Sequence, residues 1–271
     1  MIERISELKR NAIICEMHEA DKKTNSKIGG QPWLPEHINW FYNDPEGDNL
    51  GKPLAFLAQF DMKELNAFDV DHILPTNGML YFFYDFENEP IGCMKKERYG
   101  AKVYFYEGDL ECLQETDFPD DLDERFCIPE FGLHFTSRYE VPMHDEFIQI
   151  TQKNIDYYKY NDSIQKTGFQ HDSNQEITKI LGYADACQGS MLLQCEMIQN
   201  GIDCNDFEHL KYREQYIANA GDWILLFQVD TISNSDFELT FGDCGRLYFY
   251  IRKEDLKNKR FENSWFVTQC Y

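Results

Sequence analysis

Apolar positions in this chain fall mainly into short continuous runs, and one pair of runs occurs twice. The late copy reads Ile224-Leu225-Leu226-Phe227-Gln228-Val229-Asp230, then a loop, then Gly245-Arg246-Leu247-Tyr248-Phe249-Tyr250. The early copy reads Ala55-Phe56-Leu57-Ala58-Gln59-Phe60-Asp61, then a loop, then Gly78-Met79-Leu80-Tyr81-Phe82-Phe83. Asp and Gly are 17 positions apart in the early copy and 15 in the late one. Apolar runs of this length without alternation predict strands buried on both faces. Their recurrence predicts an internal duplication. By the two-residue period, Leu80, Phe82, Leu247 and Phe249 share one strand face and belong in the core.

The remaining pattern is weaker. Ile2, Ile5, Leu8, Ala12 and Cys15 have helical spacing and predict an amphipathic helix over 1–21. Two glycines and two prolines around Trp33 predict a rigid loop over 26–35. Residues 43–49 read as a polar turn, 62–68 as one or two helical turns, and 74–78 as a turn favouring positive φ. Strands are predicted over 79–86 and 98–107. Residues 126–150 read as short strands and loops around Pro129 and Pro142, 147–165 as a helix, and 165–175 as a polar loop. Lys179-Ile180-Leu181-Gly182-Tyr183 echoes Lys27-Ile28-Gly29-Gly30. A helix capped by Asn205 or Asp206 runs to Gly221. A short helix over 253–259 and a strand over 265–268 close the chain. The expected fold is α+β: a mainly antiparallel β-sheet with internal duplication and peripheral helices. It forms one compact unit over 1–271, built from halves 1–110 and 176–271 with a connecting segment, 111–175.

Composition narrows the function classes. The 271 residues suffice for a sizeable core, and 15% aromatics suits a strand-rich chain. No run approaches the roughly 20 apolar residues of a membrane span. Met1-Ile2-Glu3-Arg4-Ile5 carries an acid and no apolar region of the signal-peptide kind, so the cytoplasm is the expected compartment. Nine scattered cysteines lack C-x-x-C or zinc-finger spacing and read as reduced thiols. The net charge of -22 disfavours nucleic acid and anionic membranes and would attract a basic protein, a cationic ligand or a divalent metal; the competing reading is that the acidity serves solubility alone. From Glu107 to Glu124 there are nine acids and no base. That run reads either as a docking strip for such a partner or as a solvated connection between the halves.

Motifs for chemistry are missing. There is no G-x-S-x-G, and Gly189-Ser190 lacks the nucleophile-elbow pattern. The seven histidines share no close spacing, and neither His-x-His nor His-Glu-x-x-His occurs. No catalytic residue, metal ligand or cofactor is assigned. The ligand-binding candidates are Trp33, Gln59, Asp61, Gln228, Asp230 and Asp243. In Gln-x-Asp both polar side chains lie on one strand face, with Phe60 or Val229 on the other. Two such pairs related by pseudo-symmetry could line a shared crevice. The competing reading is that they bind nearby backbone and fix the loop after each strand, and that Trp33 packs over the edge of the core.

The phrases Ser26-Lys27-Ile28-Gly29-Gly30, Pro32-x-Leu34-Pro35, Gly51-Lys52-Pro53-Leu54 with Leu57-Ala58-Gln59, and Leu181-Gly182-Tyr183 with Gln188-Gly189 form a set. With Gly242-Asp243-x-Gly245-x-Leu247-Tyr248-Phe249 and Gln269-Cys270-Tyr271, the chain resembles the YwqG-like family of bacterial proteins. That resemblance implies a cytoplasmic, duplicated α+β protein and supplies no catalytic residues. It also admits an immunity-type role. The leading functional expectation is a non-catalytic protein- or peptide-binding module. The alternatives are an immunity-like inhibitor of a basic toxin and an enzyme with a site in the crevice between the repeats.

Overall fold

The computed structural model describes residues 1–19, 25–43, 51–169, 177–204 and 209–270, with backbone alone for 209–210. The expected polar turn after Asn43, most of the loop over 165–175 and the cap at Asn205 or Asp206 lie outside them. The ten main strands are β1 (Arg10–Glu19), β2 (Lys27–Ile28), β4 (Ala55–Asp61), β5 (Met79–Tyr84), β6 (Ala101–Tyr106), β8 (Phe131–Glu140), β9 (Lys179–Leu181), β10 (Trp223–Val229), β13 (Arg246–Arg252) and β14 (Trp265–Gln269). Two small ribbons pair β3 (Trp33–Pro35) with β7 (Leu113–Glu115), and β11 (Ile232–Ser233) with β12 (Glu238–Leu239). The helices are α1 (Ile2–Glu7), α2 (Met62–Asn66), α3 (His144–Thr151), α4 (Tyr157–Thr167), α5 (Leu192–Gln199), α6 (His209–Ala220) and α7 (Lys253–Lys257).

The main sheet runs β14-β13-β10-β9-β1-β8-β2-β4-β5-β6, with antiparallel pairing throughout. Read outward from the central β1–β8 pair, the two sides match strand for strand: β9 with β2, β10 with β4, β13 with β5, β14 with β6. The match extends to detail. A bulge falls between Phe56 and Ala58 in one half and between Leu225 and Phe227 in the other. Gln59 pairs with Lys27 and Tyr81, and Gln228 with Lys179 and Tyr248. A bulge costs a ladder bond and bends its strand, so its recurrence at one register position marks a common design. The fold is the α+β duplication that the apolar runs predict.

The sheet curls until it nearly closes into a barrel. Phe82 of β5 lies 4.6 Å from Phe227 and 4.9 Å from Phe249, between ring centroids, across the interior from its own sheet neighbours. Leu80, Phe82, Leu247 and Phe249 are all within this core and at most 1% exposed. The outer faces are covered differently. In the first half the β3–β7 ribbon and its neighbours bury Phe56, Tyr81 and Phe83. In the second, α5 and its surroundings bury the matching Leu225, Tyr248 and Tyr250.

Two expectations fail at the centre of the sheet. The helix expected over 1–21 stops at Glu7, and residues 10–19 form β1. Asn11-Ala12-Ile13 are buried, and both edges of the strand are paired, by β8 and by β9. A slot between two strands satisfies every backbone group of an Ala-Ile-Ile run, which outweighs helical spacing. Residues 131–140, expected as short pieces, form the single strand β8. Its in–out alternation at Leu133, His134, Phe135 and Thr136 is plain in the burial pattern, and Pro129 and Pro142 stand outside its ends. The helix expected over 147–165 is two helices, α3 and α4, separated where Gln152 turns left-handed and Asp156 caps the next start, accepting from the Lys159 N–H.

Candidate functional site

The duplicated polar residues are occupied by the scaffold. Gln59 is fully buried; its carbonyl accepts the Trp33 N–H at 2.9 Å and its amide donates to the Asn25 carbonyl at 2.7 Å. Gln228 repeats both bonds: its carbonyl accepts the Asp185 N–H at 2.9 Å and its amide donates to the Ile177 carbonyl at 2.7 Å. The phenol of Tyr81 donates to the Trp33 carbonyl, and that of Tyr248 to the Asp185 carbonyl. Asp61 N–H reaches the Ser26 hydroxyl and Asp230 N–H the Thr178 hydroxyl. Each Gln therefore clamps the two flanks of the short internal strand beside it, β2 or β9, by satisfying two backbone groups at once. Asp61 further caps α2 through the Lys63 N–H at 2.8 Å. Trp33 is half-buried under the Lys27 ammonium, 5.2 Å from its ring centroid. Asp243 is exposed on the turn before β13. The structure brings Trp33, Gln59 and Asp61 together in one half and Gln228 and Asp230 in the other; it does not gather the two groups around one crevice.

At the matched position of Trp33 the second half has Asp185, and at that of Met79 it has Arg246. These two substitutions, with Glu140 from β8, create a buried charge cluster. The Lys179 ammonium is 2.6 Å from the Asp185 carboxylate and 3.0 Å from that of Glu140, and all three side chains are at most 2% exposed. Arg138 reaches Glu140 at 2.6 Å, and Arg246 is paired with Asp230. A second nitrogen of Arg246 donates to the Asp185 carbonyl at 2.7 Å. Burial opposes the charge on Arg246, but the hydrogen bond and charge of Asp230 outweigh it and hold its pKa above the ordinary arginine value. Burial, followed by the nearby Cys187, drives the Tyr248 phenol well above its usual range. Three bases thus meet three acids, each ion held by another, which is the condition for keeping charges inside a protein. These charges hold one another and the backbone around them, Glu140 also accepting the Tyr183 N–H at 3.0 Å.

Above this cluster lies an open cleft of about 570 Å³. One wall is the stretch 184–190 that follows β9; the other is the α3–α4 hairpin. The hairpin is set by the Tyr160 phenol, which donates to the Pro142 carbonyl, and by His144, whose Nε2 is 2.8 Å from the Ile155 carbonyl. It offers the exposed carboxylate of Asp145 and the ring of Tyr157, which meets His144 edge-on at 5.3 Å; Glu146 lines the cleft but is buried. The opposite wall offers Cys187 and Ser190, over Tyr250. The Ser190 hydroxyl is buried and has no hydrogen-bond partner among the described residues. In the first half the matching stretch is β3 and its neighbours, closed over by β7. Among the described residues no cluster of three or more His, Cys, Asp or Glu side chains is placed to hold a metal ion, and no helix is long and apolar enough to cross a membrane.

Sequence reading missed Lys179, Asp185, Glu140 and Arg246, and the cleft residues His144, Asp145, Glu146 and Tyr157. The echo of Lys27-Ile28-Gly29-Gly30 in Lys179-Ile180-Leu181-Gly182 was the available signal: Gly29 and Leu181 both take positive φ, 63° and 62°, as do Gly30 and Gly182. Leucine at a left-handed position is costly and is kept only where packing demands it, here at 1% exposure. The cleft itself had no signal, because α3, α4 and residues 184–190 meet only in three dimensions.

Comparison with curated proteins gives no match. A family model for a domain of unknown function, DUF1963, matches residues 26–270, from the residue before β2 to the residue after β14. The chain belongs to the DUF1963 family.

Proposed function

We propose that this chain is a YwqG-like member of its family and works in the cytoplasm as a non-catalytic module that binds a basic protein or peptide in the α3–α4 cleft. The observation that carries the reading is the contrast between that cleft and the charges beneath it. The ionisable groups under the floor are paired with one another inside the protein, whereas Asp145, which meets His144 Nδ1 at 3.1 Å, and Tyr157 are exposed on the wall. Carboxylates beside aromatic rings suit a Lys or Arg side chain, which takes an ion pair at its head and ring contact along its stem. The net charge of -22 steers a cationic partner toward the molecule and repels nucleic acid. A basic toxin would be one partner of this chemistry.

The test is fluorescence anisotropy with labelled Lys/Arg-rich peptides over a salt series. Binding should weaken as the screening length falls below about 8 Å. Asp145→Asn and Tyr157→Ala should each weaken it about tenfold, the effect of roughly 1.4 kcal/mol. Absence of binding, or binding indifferent to both substitutions, contradicts the reading.

A further inference from the structure

The near-barrel has two ends, and the duplication makes them comparable. At one end Phe86 lies between Phe126 and Phe241, with centroids 5.5 and 5.6 Å away, and the aromatic rings plug the opening. Phe86 stands two residues beyond Tyr84, which pairs with Ala55; at the other end Lys253 stands two residues beyond Ile251, which pairs with the matching Ile224. A phenyl plug is thus replaced by an ammonium, and that end is open. A cleft of about 720 Å³ lies there between residues 71–76 of the first half and α7 of the second.

Its floor is apolar, with Leu181, Ile224 and Leu256, and its rim carries Arg10, Lys253, Lys257 and Lys259. One carboxylate lines it, Asp71, which accepts the Asn11 N–H at 2.8 Å. Four bases against one acid is the reverse of a chain whose net charge is -22. Lys259 is paired with Glu107 outside the cleft, but the other bases have no carboxylate partner among the described residues. Arg10 lies over the Tyr183 ring at 4.5 Å from its centroid, and its Nη1 is buried without a hydrogen-bond partner among the described residues. Lys253 donates to the Gly221 carbonyl, a neutral acceptor, at 2.7 Å. Burial first, and the charge of Arg10 second, lower the Lys253 pKa, against a smaller opposing pull from Asp222. The group carries uncompensated positive charge, and an arriving anion would offset it.

We propose that this end of the barrel binds a small molecule joining an apolar body to a dianionic group. The Arg10 fork and the Lys253 ammonium take the dianion, and the leucine and isoleucine floor takes the body. The volume falls within the range of small-molecule sites. Phosphomonoesters and aromatic dicarboxylates share this chemistry, and titration separates them.

The experiment is isothermal titration of the whole chain at low salt with four probes: phenyl phosphate, isophthalate, inorganic phosphate and benzyl alcohol. Phenyl phosphate or isophthalate should bind, and whichever is tighter names the dianion. Inorganic phosphate should be at least about tenfold weaker for want of a body, and benzyl alcohol silent for want of charge. Lys253→Gln and Arg10→Gln should each weaken the better probe at least about tenfold. Lys96→Gln, an exposed lysine elsewhere, should leave it unchanged. Circular dichroism confirms that each variant is folded, and Lys253→Gln tests the site by itself if Arg10→Gln is unstable. No binding of either aromatic dianion at roughly 10 mM, or an equal loss in Lys96→Gln, overturns the proposal.

Discussion

Lys27 and Lys179 occupy the same place in the two halves and meet different company. Lys27 is buried, but its partner Glu130 is 38% exposed, and its other contacts are the Gln31 carbonyl and the Trp33 ring. Lys179 is sealed between Glu140 and Asp185, with Arg246 and Gln228 completing the enclosure. The backbone around both is the same: the clamp from Gln, the tyrosine to the carbonyl, the hydroxyl beneath the aspartate. The difference shows which layer of a duplicated fold is free to diverge. Backbone groups inside a sheet must be satisfied, so the residues that satisfy them recur. The side chains facing outward from that frame do not carry the obligation. One copy has Trp33 within a ribbon; the other has Asp185 beneath an open cleft.

Substitutions in pairs, one in each half, test this comparison. The largest effect belongs to the shared core: Phe82→Ala and Phe249→Ala should each cost about 3–5 kcal/mol in equilibrium unfolding. Their rings touch, so the double variant should cost less than the sum, and strict additivity would separate the halves mechanically. Next comes the lysine pair. Lys179→Met leaves the buried Asp185 without its cation and Glu140 with Arg138 alone, and should cost about 3–5 kcal/mol. Lys27→Met should cost clearly less, because the half-open Glu130 can turn to water. Equal losses would mean that the enclosure in the second half adds nothing. Gln59→Ala and Gln228→Ala should cost similar amounts, about 2–4 kcal/mol, since each strands two backbone groups. A large loss at one and none at the other would break the claim that they do the same work. The smallest effect is expected at the exposed Lys259–Glu107 pair, which links the halves; Lys259→Ala should change stability by less than about 1 kcal/mol.

Much of this frame was legible in the sequence, and for one reason. The matched runs 55–61 with 78–83 and 224–230 with 245–250 each sit in strands buried on both faces, so pattern and environment agree. At β1 they disagree: Ile2, Ile5, Leu8, Ala12 and Cys15 satisfy a helix template, while the slot between β8 and β9 selects a strand. No local pattern reports a slot made by residues more than a hundred positions away. The same holds for the site. Gln59, Asp61, Gln228 and Asp230 stand out in sequence because they are duplicated, and they are duplicated because they serve the backbone. Asp145, Tyr157 and Ser190 had no repeat to mark them. The acidic run was visible as charge, but its middle, Leu113–Glu115, is a strand paired with β3, and Asp117 accepts from Gln31. Composition could not show that part of that charge is tied into the cover of the first half.

The central claim is that a partner is met where the second half is open and the first is closed. Hydrogen–deuterium exchange on the whole chain, with and without a Lys/Arg-rich peptide, tests it directly. The account predicts slowed exchange in α3, α4 and residues 184–190, with no change in the matching first-half segment 32–38 or in β7. Slowed exchange confined to residues 107–124, with the α3–α4 cleft unaffected, would contradict it and would make the acidic run the docking surface.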